Sequence, residues 1–315
     1  MRPTRIRDKK MKRMFYKLVV ITFVFGIFAL HSCEKDECEK DEVAFSDGLW
    51  LKMGDSSIVA TSDIDFYDVS THMVYLKKKL PYLEKVGYGR GMMSINVGKD
   101  EIYNCPFHPS HSSSLPRGAF ISSPPFNKED IIRIGFIQIL NANYEPTVTD
   151  PRSDNRIIEA LKKHGQYHEG LHCEIQSFNY LDGKLVLNIV LSNPDVFDYY
   201  YLDPDKMGFG LFHYFTNGAT FRSITYAKSY KHQETITYPE PLGLWTKEWL
   251  TLIRSGESKN ISITYNHFEM MPTGQYRIYF EFPGLKYGIS QKDLTLSDGR
   301  IWMGSIGVQK DVTIN

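Results

Sequence analysis

Cys105-Pro106-Phe107-His108-Pro109-Ser110-His111 sets a thiol and two imidazoles at intervals of three residues, with His164, His168 and Cys173 further along the chain. Thiolates and imidazoles are zinc ligands, and the spacing is loosely compatible with a metal centre. A closed zinc site needs four ligands from two short paired motifs, whereas here the second half is scattered around Gly165 and Gly170. Loop and surface histidines account for the same residues, so no metal or other cofactor is expected. Asp63, Asp65 and Asp68, and separately Asp203 and Asp205, offer oxygen ligands to calcium but match no EF-hand loop. Turn and capping roles account for them.

Nucleophile chemistry leaves no linear signature. There is no G-x-S-x-G elbow, no Walker loop and no dinucleotide fingerprint, and Gly87-Tyr88-Gly89-Arg90-Gly91 lacks the Lys-Ser/Thr of a phosphate cradle. A non-enzymatic role is the favoured reading. The alternative is a glycan-processing hydrolase whose carboxylates come from separate strands, an arrangement no short motif records.

Aromatic residues are the feature suited to binding. They make up 14% of the chain, and Tyr199-Tyr200-Tyr201, Phe212, Tyr214 and Phe215, with Trp245, Trp249 and Trp302, exceed what a sandwich core needs. Surplus rings would lie on a sheet face or loop, where flat faces stack on sugars or peptides. Tyr199, Tyr201, Tyr214, Trp245 and Trp249 are the candidates, and a glycan or a protein the expected class of ligand. The competing account puts alternate rings in the core and leaves the rest as ordinary surface tyrosines. Nucleic acid is excluded as a partner: 37 basic residues balance 37 acidic ones, and many of the basic ones lie before residue 18.

The elements that must position these residues are mostly strands. Residues 45–150 read as a small β-rich or mixed α/β domain. His72 to Lys77 alternates, with Met73 and Tyr75 on one face and Val74 and Leu76 on the other. Met93–Val97 and Glu101–Cys105 form a hairpin around a three-residue Gly98-Lys99-Asp100 loop. Ile131 to Leu140 is an apolar strand. Residues 151–170 hold the linking helix: Ser153 or Asp154 caps it, Ile157, Ile158 and Leu161 share a face, and Gly165 stops it.

From residue 171 to 315 the period is two. Leu185, Leu187, Ile189 and Leu191 face one way and Val186 and Val190 the other, as in a central strand. Strands are also read at Phe197–Leu202, Gly210–Phe215, Ser258–Tyr265 and Gln275–Phe282, then at Ile301–Ile306 and Val308–Ile314. Tyr276, Ile278, Phe280 and Phe282 point inward while Arg277, Tyr279 and Glu281 point outward. Gly256-Glu257-Ser258 before one strand and Pro272-Thr273-Gly274-Gln275-Tyr276 before the next resemble the late strands of immunoglobulin-like and fibronectin-like modules. The resemblance implies an antiparallel β-sandwich and carries no function.

The N-terminus is an address. Eight Arg and Lys residues precede an apolar run from Leu18 to Leu30 that is too short to cross a bilayer, which takes about 20 residues. Leu30-His31-Ser32-Cys33 resembles the lipobox of bacterial lipoproteins, His31 standing where a smaller residue is usual. The resemblance implies that residues 1–32 are a signal peptide, that Cys33 carries the lipid, palmitate included, and that this anchors the chain in a membrane. Residues 33–44 are then an acidic tether: Glu-Lys-Asp-Glu occurs twice around Cys38. It resembles the export signal of Bacteroidota surface lipoproteins and implies an outer-membrane, surface-exposed location.

Overall fold

In the computed structural model, residues 46–80, 91–108, 112, 114–122, 129–139, 147–225, 228–285 and 289–315 are described. Their architecture is mainly β. Nine strands make one curled sheet: β1 (Leu49–Met53), β2 (Ser56–Val59), β3 (Ile64–Asp68), β4 (Met73–Leu76), β5 (Met92–Val97), β6 (Asp100–His108), β7 (Gly118–Ser122), β8 (Ile131–Ile137) and β9 (Tyr167–His168). Their order is β2-β1-β5-β6-β7-β8-β4-β3-β9. The β5–β6 hairpin is tighter than expected: Val97 pairs with Asp100, leaving only Gly98-Lys99 in the loop. A helix, Asn155–Lys163, is capped by Asp154 through the Arg156 amide and buries Ile157 and Leu161 against the sheet.

All four residues of β4 are buried because both faces are covered. Val74 and Leu76 join the core beneath the helix with Leu49, Ile95 and Ile132. Met73 and Tyr75, with Phe66 and Ile131, join instead the core of the C-terminal half. One layer of strands thus serves two cores, and residues 47–315 form one compact unit.

The C-terminal half contains β10 (His172–Leu181), β11 (Lys184–Ser192), β12 (Tyr199–Leu202), β13 (Thr220–Ser223), β14 (Ser229–Lys231), β15 (Leu250–Ile253), β16 (Ser258–Tyr265), β17 (Gly274–Pro283), β18 (Thr295–Leu296), β19 (Gly299–Ile301) and β20 (Ser305–Ile314). Sheets β10-β11-β16 and β14-β13-β17-β20 face one another, all pairs antiparallel. This is the strand order of an immunoglobulin-like sandwich. Leu185, Leu187, Ile189 and Leu191 of β11 meet Tyr276, Ile278, Phe280 and Phe282 of β17 in one core, as the alternation requires. The Pro-x-Gly-x-Tyr turn closes on itself, with Tyr276 Oη donating to the Pro272 carbonyl at 2.7 Å.

Three connections, 193–219, 232–257 and 284–304, build a third sheet, β15-β12-β19-β18. Arg300 on β19 of this sheet lies over the stacked rings of Phe66 and Tyr75 at 4.5 and 4.6 Å. Two expected strands differ. Gly210–Phe215 lies in a helix, Phe209–Tyr214, where Phe209 and His213 stack one turn apart at 3.8 Å; a short apolar run fits either period. Ile301–Ile306 and Val308–Ile314 resolve into β19 and the unbroken β20.

Candidate functional site

Cys33, the acidic tether, Gly87–Arg90 and His111 lie outside the described residues. Cys105 on β6 and Cys173 on β10 are free, buried thiols in different cores, and burial pushes both up to about 12. His164 closes the helix and meets Asp47 at 3.0 Å. Among the described residues no three His, Cys, Asp or Glu side chains are placed to hold a metal ion. Asp63 accepts from the Ala60 amide and Asp203 from the Asp205 amide, which are turn and capping roles.

Residues 168–172 read His-Glu-Gly-Leu-His, the spacing that on a helix aims two imidazoles at one zinc. The chain is not helical there. His168 belongs to β9, His172 to β10, and Gly170 between them has φ +71°. Spacing without the helix leaves the two rings on separate strands.

Of the five candidate rings, Tyr199 and Tyr201 are 1% and 3% exposed and belong to the core, which removes them as ligand-binding residues. They lie two apart on β12, so alternation turns both inward, while Tyr200 faces Asp298. Trp245, Trp249 and Tyr214 keep part of each ring at the surface, packed against the same core. Trp249 meets Phe215 edge-on at 6.2 Å, and Tyr214 meets Phe215 at 5.0 Å and Tyr238 at 5.5 Å.

Two polar sites stand out. The first is buried between the sheets. His168 Nδ1 lies 2.8 Å from Asp195 Oδ1, and the same carboxylate accepts the Gly170 amide at 2.7 Å and the Phe197 amide at 3.1 Å. Burial works to raise the Asp195 pKa, but these donors outweigh it and hold the group below the ordinary range. An ionised Asp195 fixes the proton of His168 on Nδ1. Next to it Asp68 accepts from Ser70 Oγ at 2.6 Å, and Trp302 Nε1 lies 3.4 Å from the same hydroxyl. Burial pushes Asp68 up to about 6, with the Asp195 charge adding to the effect.

Serine, histidine and two carboxylates of opposite pKa tendency are the raw material of hydrolysis. Here they are closed in. The Ser70 hydroxyl is directed to Asp68, the His168 ring lies flat on Phe197 at 3.9 Å, and a Cβ on Gly170 would come within 2.4 Å of Ser70 Oγ and Asp68 Oδ1. Substrate has no room at this cluster, which ties β3, the β9–β10 link and the β11–β12 link together.

The second site is open. On the outer face of the C-terminal four-stranded sheet, Thr220, Tyr279 and Gln309 form one cross-strand row, and Glu281 pairs with Gly307 in a neighbouring row. Strand β13 begins at Thr220; before it Thr216 donates its hydroxyl to the Glu281 carbonyl, and a hollow of about 420 Å³ lined by Asn217, Gly218 and Glu281 remains beside the strand. A second hollow, about 220 Å³ and lined by His213, Tyr214, Thr216, Ile236 and Tyr238, meets the first at Asn217.

Neither a family model nor a curated protein matches the chain.

The chemistry of the open tract therefore rests on its own groups. Tyr279 is 40% and Tyr238 63% exposed, one ring at each hollow. Arg277 beside Tyr279 is closed by a two-point pair with Asp311, at 2.6 and 2.9 Å, and partial burial lowers the pKa of Arg133 while the Glu281 charge favours its charged form. Beneath the second hollow His213 is neutral, burial lowering it to about 4. Its Nδ1 lies 2.9 Å from the Phe209 carbonyl and must carry the proton, so Nε2 accepts from Tyr265 Oη at 3.1 Å. The tract presents rings, amides, hydroxyls and the Glu281 carboxylate, with Phe280 and Val308 also in its lining and Arg277 paired to Asp311 beside it. Tyr279 and Glu281 were legible as outward residues of β17, whereas Asn217 and Gly307 reach them only through strand pairing.

Proposed function

We propose that this protein is a lipid-anchored lipoprotein of the cell envelope, displayed at the outer-membrane surface, and that its folded body is a non-enzymatic binding or accessory module. The anchor reading rests on Leu30–Cys33 and on the charged run that follows it. The binding reading rests on one observation: among the described residues, Asn217, Tyr279 and Gln309 line an open hollow, while the His168–Asp195 pair is walled in. The body begins at Asp47, so the chain from Cys33 limits its reach from the bilayer to on the order of 45 Å, about 3.4 Å per residue. Membrane fractionation of the Cys33→Ser variant tests the anchor. The variant should move to the soluble fraction and lose incorporation of labelled palmitate; retention in the membrane fraction sinks the reading.

A further inference from the structure

We infer that the tract at Asn217 is a binding site for a neutral oligosaccharide, with one sugar unit over Tyr279 and following units running past Asn217 toward Tyr238. The inference rests on the binding-module reading and names its ligand class. Four properties of the site support it.

The first is shape. The larger hollow falls within the roughly 300–1,000 Å³ of small-molecule sites, and the smaller continues it, so the cleft is elongated rather than a single cup. The second is the presence of a partly exposed ring at each hollow, Tyr279 and Tyr238, on which the apolar face of a pyranose can lie. The third is the polar lining. Asn217 and Gln309 each donate and accept, Thr220 does both through one hydroxyl, and Glu281 accepts, which suits vicinal hydroxyls that must donate and accept together.

The fourth is charge. A phosphate or carboxylate ligand would require an available cation, yet Arg277 is held by Asp311. A cationic ligand would find a single carboxylate, Glu281, in the lining of the larger hollow. A neutral polyol needs neither.

Gly307 gives the site its depth. A Cβ built there meets nothing within 4 Å, and no unusual backbone conformation is needed, so glycine is not demanded by the fold at this position. It leaves space opposite Glu281.

Calorimetry with the intact chain in detergent tests this, using maltohexaose, cellohexaose, xylohexaose and mannohexaose and their monosaccharides, together with an array of neutral glycans. At least one hexasaccharide should bind, at least tenfold more tightly than its monosaccharide. Gly307→Trp, which fills the hollow, and Tyr279→Ala, which removes the platform, should each weaken that binding at least tenfold without shifting the melting temperature. Silence across the array, equal affinity for mono- and hexasaccharide, or binding that survives both substitutions overturns the inference. Membrane release of Cys33→Ser is unaffected by any of these results, so the anchor and the ligand fail separately.

Discussion

The buried cluster at Asp195 and the open tract at Asn217 contain similar chemical groups and put them to opposite uses. Both have a carboxylate, a histidine nearby, tyrosines and hydroxyls. In the cluster each carboxylate has several donors from the chain itself, four of them aimed at Asp195 once Tyr199 Oη at 3.5 Å is counted. In the tract Arg277 is paired with Asp311, and Glu281 faces a hollow together with neutral groups. Residue type alone does not separate a joint from a site. What separates them is whether polar valences are filled by the chain or left to a ligand.

The largest effect should come from breaking the joint. Asp195→Ala leaves His168, Gly170 and Phe197 with donors in a buried place and no acceptor. Removing one partner of a buried hydrogen-bonded pair typically loses about 3–5 kcal/mol. Asp195 is 4% exposed, so screening by solvent gives little relief. Urea denaturation should show a loss of about 4 kcal/mol. A loss under about 1 kcal/mol would mean that the cluster is dispensable, and the contrast with the tract would disappear.

Asp68 makes a second difference, visible in pH. Its folded pKa is raised from 3.8 to about 6. For a group raised on folding, the stabilising contribution is complete below 3.8 and is lost as pH climbs through about 6, because the unfolded chain ionises first. The gap bounds the effect at about 3 kcal/mol. Asp195, lowered on folding, has the opposite sign, and its contribution is present above the ordinary carboxylate range and lost on acidification. Asp68→Asn keeps an oxygen for Ser70 Oγ and the Thr71 amide but cannot ionise. Its stability should match the parent at pH 4 and exceed it increasingly up to pH 7. Parallel curves for the two proteins would show that Asp68 does not titrate in this window.

Much of the scaffold that separates these two places was legible in the sequence. The faces of β11 and β17, the Asp154 cap and the Tyr276 turn all depend on residues near one another in the chain, where period and local hydrogen bonding decide. The two faces of β4 also followed from its pattern, although the burial of both did not. Less legible was everything built by register between distant segments. The third sheet takes strands from three connections, and its core absorbs the rings of Tyr199 and Tyr201 that had looked surplus. The count of rings was fair for two layers but not for the layers actually present. His168-Glu169-Gly170-Leu171-His172 shows the same lesson in reverse: a motif's spacing has meaning only on the element that gives it direction, and Gly170 at φ +71° denies it a helix.

The smallest effect, and the one that sharpens the comparison most, is on stability in the tract. Tyr279 stands on the outer face of β17, and truncation to Ala removes a ring that covers no core residue of that strand, since Tyr276, Ile278 and Phe280 all point the other way. Gly307→Trp adds a side chain into space that is open in the fold. Neither change strips a buried donor of its acceptor, so each should move unfolding free energy by no more than about 0.5 kcal/mol, measured by the same urea titration as Asp195→Ala. A loss of about 2 kcal/mol or more from Tyr279→Ala would show that its pairing with Arg277 and its cross-strand neighbours supports the sheet. The tract would then be a second joint rather than a site, since a surface held in readiness for a ligand is one whose groups the fold itself does not need.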